Sequence, residues 1–143
     1  RKALRIKNKK SHRQAVRLRV FQFVNKLKNH GFEEITYWVL KRDVPKAYSL
    51  DWSDTAGWIY AFATSDSLKD IGMTTNLLRS RLDSYSCGKR HYVCQRIKQH
   101  LEDDRKLIIY GTRRGGSAGY ELEKEELELI NKLHPVWNTH VIH

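Results

Sequence analysis

The side chains whose types and spacing point to chemistry are Tyr60, Arg79, Arg81 and a glutamate cluster between Glu121 and Glu128. Tyr60 sits in Gly57-Trp58-Ile59-Tyr60-Ala61-Phe62-Ala63, an apolar run that reads as a short buried strand. Asp70-Ile71-Gly72 reads as a second strand that Gly72 ends. Thr75 to Leu82 reads as a helix that follows at once. A strand tyrosine and two helix arginines therefore share one strand, turn, strand, helix unit, which we expect to carry the chemistry. Arg79 and Arg81 are two apart on that helix and point differently, so only one of them can aim at a shared pocket. Part of the glutamate cluster complements a helix dipole. One carboxylate aimed at a metal is the sharper reading of the rest.

Charge says what such a unit would meet. The 143 residues carry 27 Lys and Arg against 16 Asp and Glu, a formal charge of +11. That excess points to a polyanion, with nucleic acid first. No apolar run is long enough to span a bilayer, and the charged start Arg1-Lys2-Ala3-Leu4-Arg5 does not read as a signal peptide. Two cysteines, Cys87 and Cys94, do not make a disulfide framework and suit a reducing, intracellular compartment. Cys87, His91 and Cys94, with His100 beyond, have a spacing that invites zinc, but no second cysteine pair completes a site, and Cys94 reads better as a small core residue.

The elements that must position the unit read as follows. Residues 1–10 form a basic arm. Ser11 to His30 has an apolar stripe, Ala15, Leu18, Phe21, Val24 and Leu27, at helical spacing, and Gly31 suits its termination. That helix is expected to pack by the stripe and to present Arg13, Arg17, Arg19, Lys26 and Lys28 outward. Glu34 to Leu40 is β-branched and aromatic, hence a strand. Lys41 to Pro45 breaks it, and Ala47 to Ala56 reads as a connecting loop. Ser84 to Arg90 is a turn with Lys89 and Arg90 at its tip. His91 to Leu101 is a helix and Lys106 to Tyr110 a strand. Gly111 to Gly119 reads as a mobile, glycine-rich loop carrying Arg113 and Arg114. Tyr120 to Leu133 is the last helix, stopped by His134-Pro135. The order predicts a small α/β domain with a mainly antiparallel central sheet flanked by helices. Residues 1–56 would be a basic extension suited to DNA, and 57–143 the catalytic part.

Taken together, Trp58-Ile59-Tyr60, Asp70-Ile71-Gly72, Arg81-Leu82-Asp83-Ser84-Tyr85, Glu126 and Pro135-Val136-Trp137-Asn138 resemble the GIY-YIG nuclease family. The set is similar to the catalytic module of the excision-repair subunit UvrC and to GIY-YIG restriction and homing endonucleases, over roughly residues 57–140. The resemblance implies a metal-dependent endonuclease that hydrolyses phosphodiester bonds in DNA. It implies that Tyr60 acts in deprotonating the attacking water, Arg81 holds the scissile phosphate, and Tyr85 lines the same pocket. Glu126 would ligate one divalent cation, Mg²⁺ or Mn²⁺, and Asn138 would fix the C-terminal segment. Gly72 would be structural. Lys69, Arg79, Lys89, Arg90, Arg113 and Arg114 are the further candidates for nucleic-acid contact, with RNA a second substrate class.

The chemistry stands beside the resemblance. A tyrosine hydroxyl titrates near 10, so it serves as a base only if Arg81, Lys69 or a metal depresses that value. One carboxylate suffices for Mg²⁺, which keeps several waters and borrows substrate oxygens. Asp70 could add a second. The sequence also departs from the family pattern: Trp58 replaces the first glycine, Asp70 replaces the second motif tyrosine, and Met73 follows Ile71-Gly72 where relatives often carry a polar or cationic residue. The alternative reading is therefore a catalytically inactive module on the same fold that binds nucleic acid, or a piece of a larger ribonucleoprotein.

Overall fold

The computed structural model describes residues 2–48, 55–87 and 92–138, with the side chains of 2–10 and of Cys87 left aside. Helix α1 spans Lys2–Asn29, followed by strands β1 (Glu33–Lys41), β2 (Val44–Ala47), β3 (Ala56–Ala63) and β4 (Leu68–Leu77). Helices α2 (Leu78–Cys87) and α3 (Tyr92–Glu102), strand β5 (Ile108–Arg113) and helix α4 (Gly119–Leu133) complete the order. The five strands make one sheet in the order β2-β1-β5-β3-β4 with every pairing antiparallel. The expected α/β class with an antiparallel sheet is what the chain adopts.

β3 is buried along nearly its whole length because both its faces are covered. Alternation along the strand sends Trp58, Tyr60 and Phe62 to one side, where Leu78, Leu82 and Tyr85 of α2 and Val93 and Ile97 of α3 pack. Ile59, Ala61 and Ala63 face the other side, against Leu122, Leu129 and Ile130 of α4 and Leu27 of α1. The helices thus form a layer on each face.

Several boundaries differ from the sequence reading. β4 does not stop at Gly72: Thr74 and Thr75 are β-branched and keep the pairing with β3 to the end of the ladder, so the helix starts at Leu78. Val44–Ala47 is a strand and not part of a break, because Arg42 and Asp43 both take positive φ (52° and 63°) and close a tight hairpin. Pro45 is tolerated there because β2 lies at the sheet edge. Gly111, Thr112 and Arg113 belong to β5 rather than to a loop, held by pairing to Tyr60, Ile59 and Trp58.

The apolar stripe of α1 is the largest correction. Leu27 is buried and Val24 half-buried, but Ala15 is exposed, Leu18 is 55 % exposed and Phe21 64 %. At 1.5 Å per residue a helix of this length reaches about 42 Å, and it runs past the sheet that its last turn packs on. Trp52, Lys89, Arg90 and His91 lie outside the described residues.

Candidate active site at the β4 edge

Tyr60 and Gly72 face each other across the β3–β4 ladder. A Cβ on Gly72 would sit 2.3 Å from both Cζ and Oη of Tyr60. The ring therefore lies across the glycine, in space only a residue without a side chain leaves open. From there its hydroxyl meets two groups of α2. The Tyr60 and Tyr85 hydroxyls are hydrogen-bonded at 2.5 Å. Arg81 Nε donates to Tyr60 Oη at 2.9 Å, and its guanidinium lies 5.3 Å from the Tyr85 ring centre. Residues 81 and 85 are four apart, so one helical face brings both to the same hydroxyl.

Asp70 points to the same side, because it is two residues before Gly72 on β4. It is 3 % exposed. Burial first, then the Glu126 carboxylate, push it up to about 8, and Arg81 offsets only part of this. Glu126 comes from α4, on the opposite face, and reaches the edge of β4. There it takes a backbone hydrogen bond from Met73. It too is raised, by burial and by Glu123, against the pull of Arg81 and of that bond. Tyr60 is pushed up to about 12 by burial, with Arg81 and Tyr85 pulling it down. Tyr85 is also raised, by burial and by its neighbours Tyr60 and Asp70.

The same strand edge is clamped by Asn138. Its Oδ1 accepts from Ile71 N at 2.8 Å and its Nδ2 donates to Ile71 O at 3.1 Å, the pattern of an extra strand. Ile71 and Met73 are two apart, so their backbone groups face the same way, one toward Asn138 and the other toward Glu126. The neighbouring Glu125 is committed elsewhere. Both its oxygens accept from Arg114 Nε, at 2.9 and 3.1 Å, and Nη2 lies 2.9 Å away.

Tyr60, Arg81, Tyr85 and Glu126 thus gather at one edge, with Gly72 and Asn138 shaping it. Lys69 is half-buried one residue before Asp70, and Arg79 is exposed on α2. Arg113 is exposed at the end of β5, and Arg114 is engaged by Glu125 and by Thr112 Oγ1 at 2.9 Å. Asp70 was legible as a second carboxylate from its place at the end of a strand beside Tyr60. His100 and Arg105 line a neighbouring cavity; His100 was marked only by the zinc-like spacing ahead of it, and Arg105 by no motif.

Among the described residues no group of three or more His, Cys, Asp or Glu is close enough to cage a metal ion. Asp70 lies close enough to Glu126 for that carboxylate to raise its cost of ionisation. One or two carboxylates are the number that Mg²⁺, which keeps several waters, accepts. No helix among the described residues is long and apolar enough to cross a membrane.

No family model matches the sequence, and no curated relative does. The fold is shared with nucleases. It is similar to a point mutant of bacteriophage T4 EndoII, with a TM-score of 0.65 and 21 % identity over 81 % of this chain and 98 % of that one. It is also similar to the restriction endonuclease HPY188I in complex with product DNA, with a TM-score of 0.50 and 15 % identity over 76 % and 77 % of the two chains.

Proposed function

We propose that the chain is a metal-dependent endonuclease of the GIY-YIG type that hydrolyses phosphodiester bonds in DNA. The observation that carries this is the meeting of Arg81, Tyr60 and the Asp70–Glu126 pair at one strand edge. The likeness in fold to EndoII and to a restriction endonuclease holding product DNA supports it.

In this reading Arg81 holds the scissile phosphate, offering the nitrogens that Tyr60 does not use and neutralising charge as it builds on the phosphoryl oxygens. Glu126, with Asp70 beside it, would hold Mg²⁺ or Mn²⁺. A cation there would supply Lewis acidity and lower the pKa of a nearby water. Tyr60 takes the water's proton at Oη only as the phenolate, so its own proton must first leave to solvent; Arg81 lowers the cost of that loss against the burial that raises it. Tyr85 fixes the direction of that hydroxyl. Asn138 keeps β4 and the C-terminal segment in register, so that Asp70 and Glu126 stay within reach of each other.

A second reading, a binding module without catalysis, is favoured by the burial of Tyr60 at 0 % exposure and by its rise to about 12. Both readings are separated by incubating the protein with supercoiled plasmid and Mg²⁺, Mn²⁺ or EDTA, beside Glu126→Gln. The nuclease reading expects nicks that need metal and disappear in the variant, with DNA binding retained. Cutting by the variant at the wild-type rate removes Glu126 from the mechanism. Salt-sensitive binding with no product at all leaves the binding module.

A further inference from the structure

A second cavity of about 430 Å³ opens at the end of the β3–β4 hairpin, beside the proposed active site. Thr64, Ser65 and Ser67 of the turn, Lys69, His100 of α3 and Arg105 of the α3–β5 connection line it. His100 is 8 % exposed and its Nε2 has no hydrogen-bond partner. Leaving such a group unmatched costs about 1–3 kcal/mol, and an anion in the cavity would relieve it by holding a proton on Nε2, so that the imidazolium donates to the anion. Among the described residues Lys69 and Arg105 form no ion pair. Both face the imidazole, which burial and these two cations hold below its usual range, against a hydrogen bond to the Lys106 backbone that raises it.

The contrary charges are few. Asp66 also lines the cavity, and its carboxylate takes the Thr64 hydroxyl at 3.3 Å. Asp103 acts on His100 in the opposite sense to the cations. Lys106 adds to the positive field from the rim, with its ammonium 5.3 Å from the Tyr37 ring centre. Hydroxyls, an imidazole and unpaired cations together make a seat for a tetrahedral oxyanion.

Its place in the fold narrows the source of that anion. Lys69 immediately precedes Asp70 in β4. Trp137 packs edge-on to His100, while the next residue, Asn138, clamps Ile71. The cavity and the Tyr60–Arg81 cluster are therefore joined by two pairs of consecutive residues, Lys69-Asp70 and Trp137-Asn138. We propose that this cavity seats a backbone phosphate of the nucleic acid, a different one from the phosphate at Arg81. This rests on the reading of the chain as a nucleic-acid enzyme or binder, and it adds a phosphate subsite to it.

The test uses the full chain and two probes, inorganic phosphate and a short DNA duplex in EDTA. Side-chain NMR signals of His100 are followed with each. Both probes are expected to shift them saturably, and Arg105→Gln is expected to abolish the shift. Duplex affinity is then measured across salt concentrations for wild type, Arg105→Gln and Arg96→Gln. Arg105 and Arg96 are both exposed, but only Arg105 lines the cavity. The slope of log affinity against log salt is expected to fall by about one for Arg105→Gln, and by less for Arg96→Gln. Equal effects of the two variants, or a His100 shift with inorganic phosphate and none with the duplex, overturns the proposal. Plasmid cutting in parallel separates the two readings. A changed slope without metal-dependent cutting keeps the subsite and removes the nuclease, while cutting with an unchanged slope does the reverse.

Discussion

Gly72 does for Tyr60 what no other residue could. Every other side chain begins with a Cβ, and here that atom would lie 2.3 Å from the phenol carbon and oxygen. The ring has nowhere to yield, since it packs against Phe62 and Tyr85 and its hydroxyl is tied to Tyr85 and Arg81. Gly72→Ala is therefore expected to cost about 1–3 kcal/mol of stability, as overpacking does. Displacing the hydroxyl by about 1 Å is expected to slow plasmid cutting roughly 100-fold. A melting curve and a nicking time course check the two parts separately. A variant that melts lower yet cuts at the wild-type rate would mean that the placement of Tyr60 does not matter to the reaction. The sequence made Tyr60, Arg81 and Glu126 legible because each stood in a motif of recognisable order. Glu125 is the neighbour most easily mistaken for Glu126, which its spacing to Asn138 and its position opposite Leu127 and Ile130 favour. The structure adds a physical reason, the bidentate hold of Arg114 on Glu125, which no spacing could have revealed.

β4 is the element on which the cluster hangs, and its acid–base behaviour is measurable. Asp70 in the folded strand keeps its proton up to about 8, while in the unfolded chain it releases it near the ordinary value of 3.8. Between those values the native state binds more protons than the unfolded one, so stability falls as pH rises. The contribution of the group is complete below about 3.8 and is lost as pH passes about 8. Glu126, also raised, adds a slope of the same sign. Asp70→Asn is expected to flatten the fall of melting temperature across this window. Above about pH 8 the variant should melt several degrees higher than wild type. Mg²⁺ should raise the wild-type melting temperature more at the alkaline end than at the acid end, and should do less for the variant. Parallel curves for the two proteins would mean that the buried carboxylates do not oppose one another. The strand itself was only partly legible. Gly72 reads as a terminator, yet here it is a strand interior whose missing side chain admits a ring, and the two threonines beyond it continue the ladder. The hairpin at Arg42-Asp43 was hidden for a related reason: neither residue is glycine or asparagine, although both take positive φ.

At the scale of the whole molecule, charge and shape separate. α1 carries ten of the chain's 27 Lys and Arg and no acidic residue, and beyond its last turns it leaves the sheet behind. Its stripe looked like a packing face because helical spacing records only which residues share a side, not whether anything lies opposite. Leu27 finds the core, whereas Leu18 and Phe21 do not. A helix this one-sided in charge repels a second copy of itself and attracts a polyanion. We therefore expect it to contribute to DNA affinity without contributing to the stability of the sheet. Replacing Arg13, Arg17 and Arg19 together by Gln changes only exposed side chains. The melting temperature should stay within about 1 °C of wild type, since exposed substitutions are nearly neutral. The slope of log affinity for duplex DNA against log salt should become shallower by about two to three, one for each phosphate that an arginine no longer neutralises. Cutting of a bound plasmid at saturating protein should proceed at the wild-type rate, because none of the three arginines belongs to the Tyr60, Arg81, Tyr85 and Glu126 cluster. An unchanged salt slope would assign the binding of DNA to the sheet domain alone, and a large fall in melting temperature would mean that α1 packs on something after all.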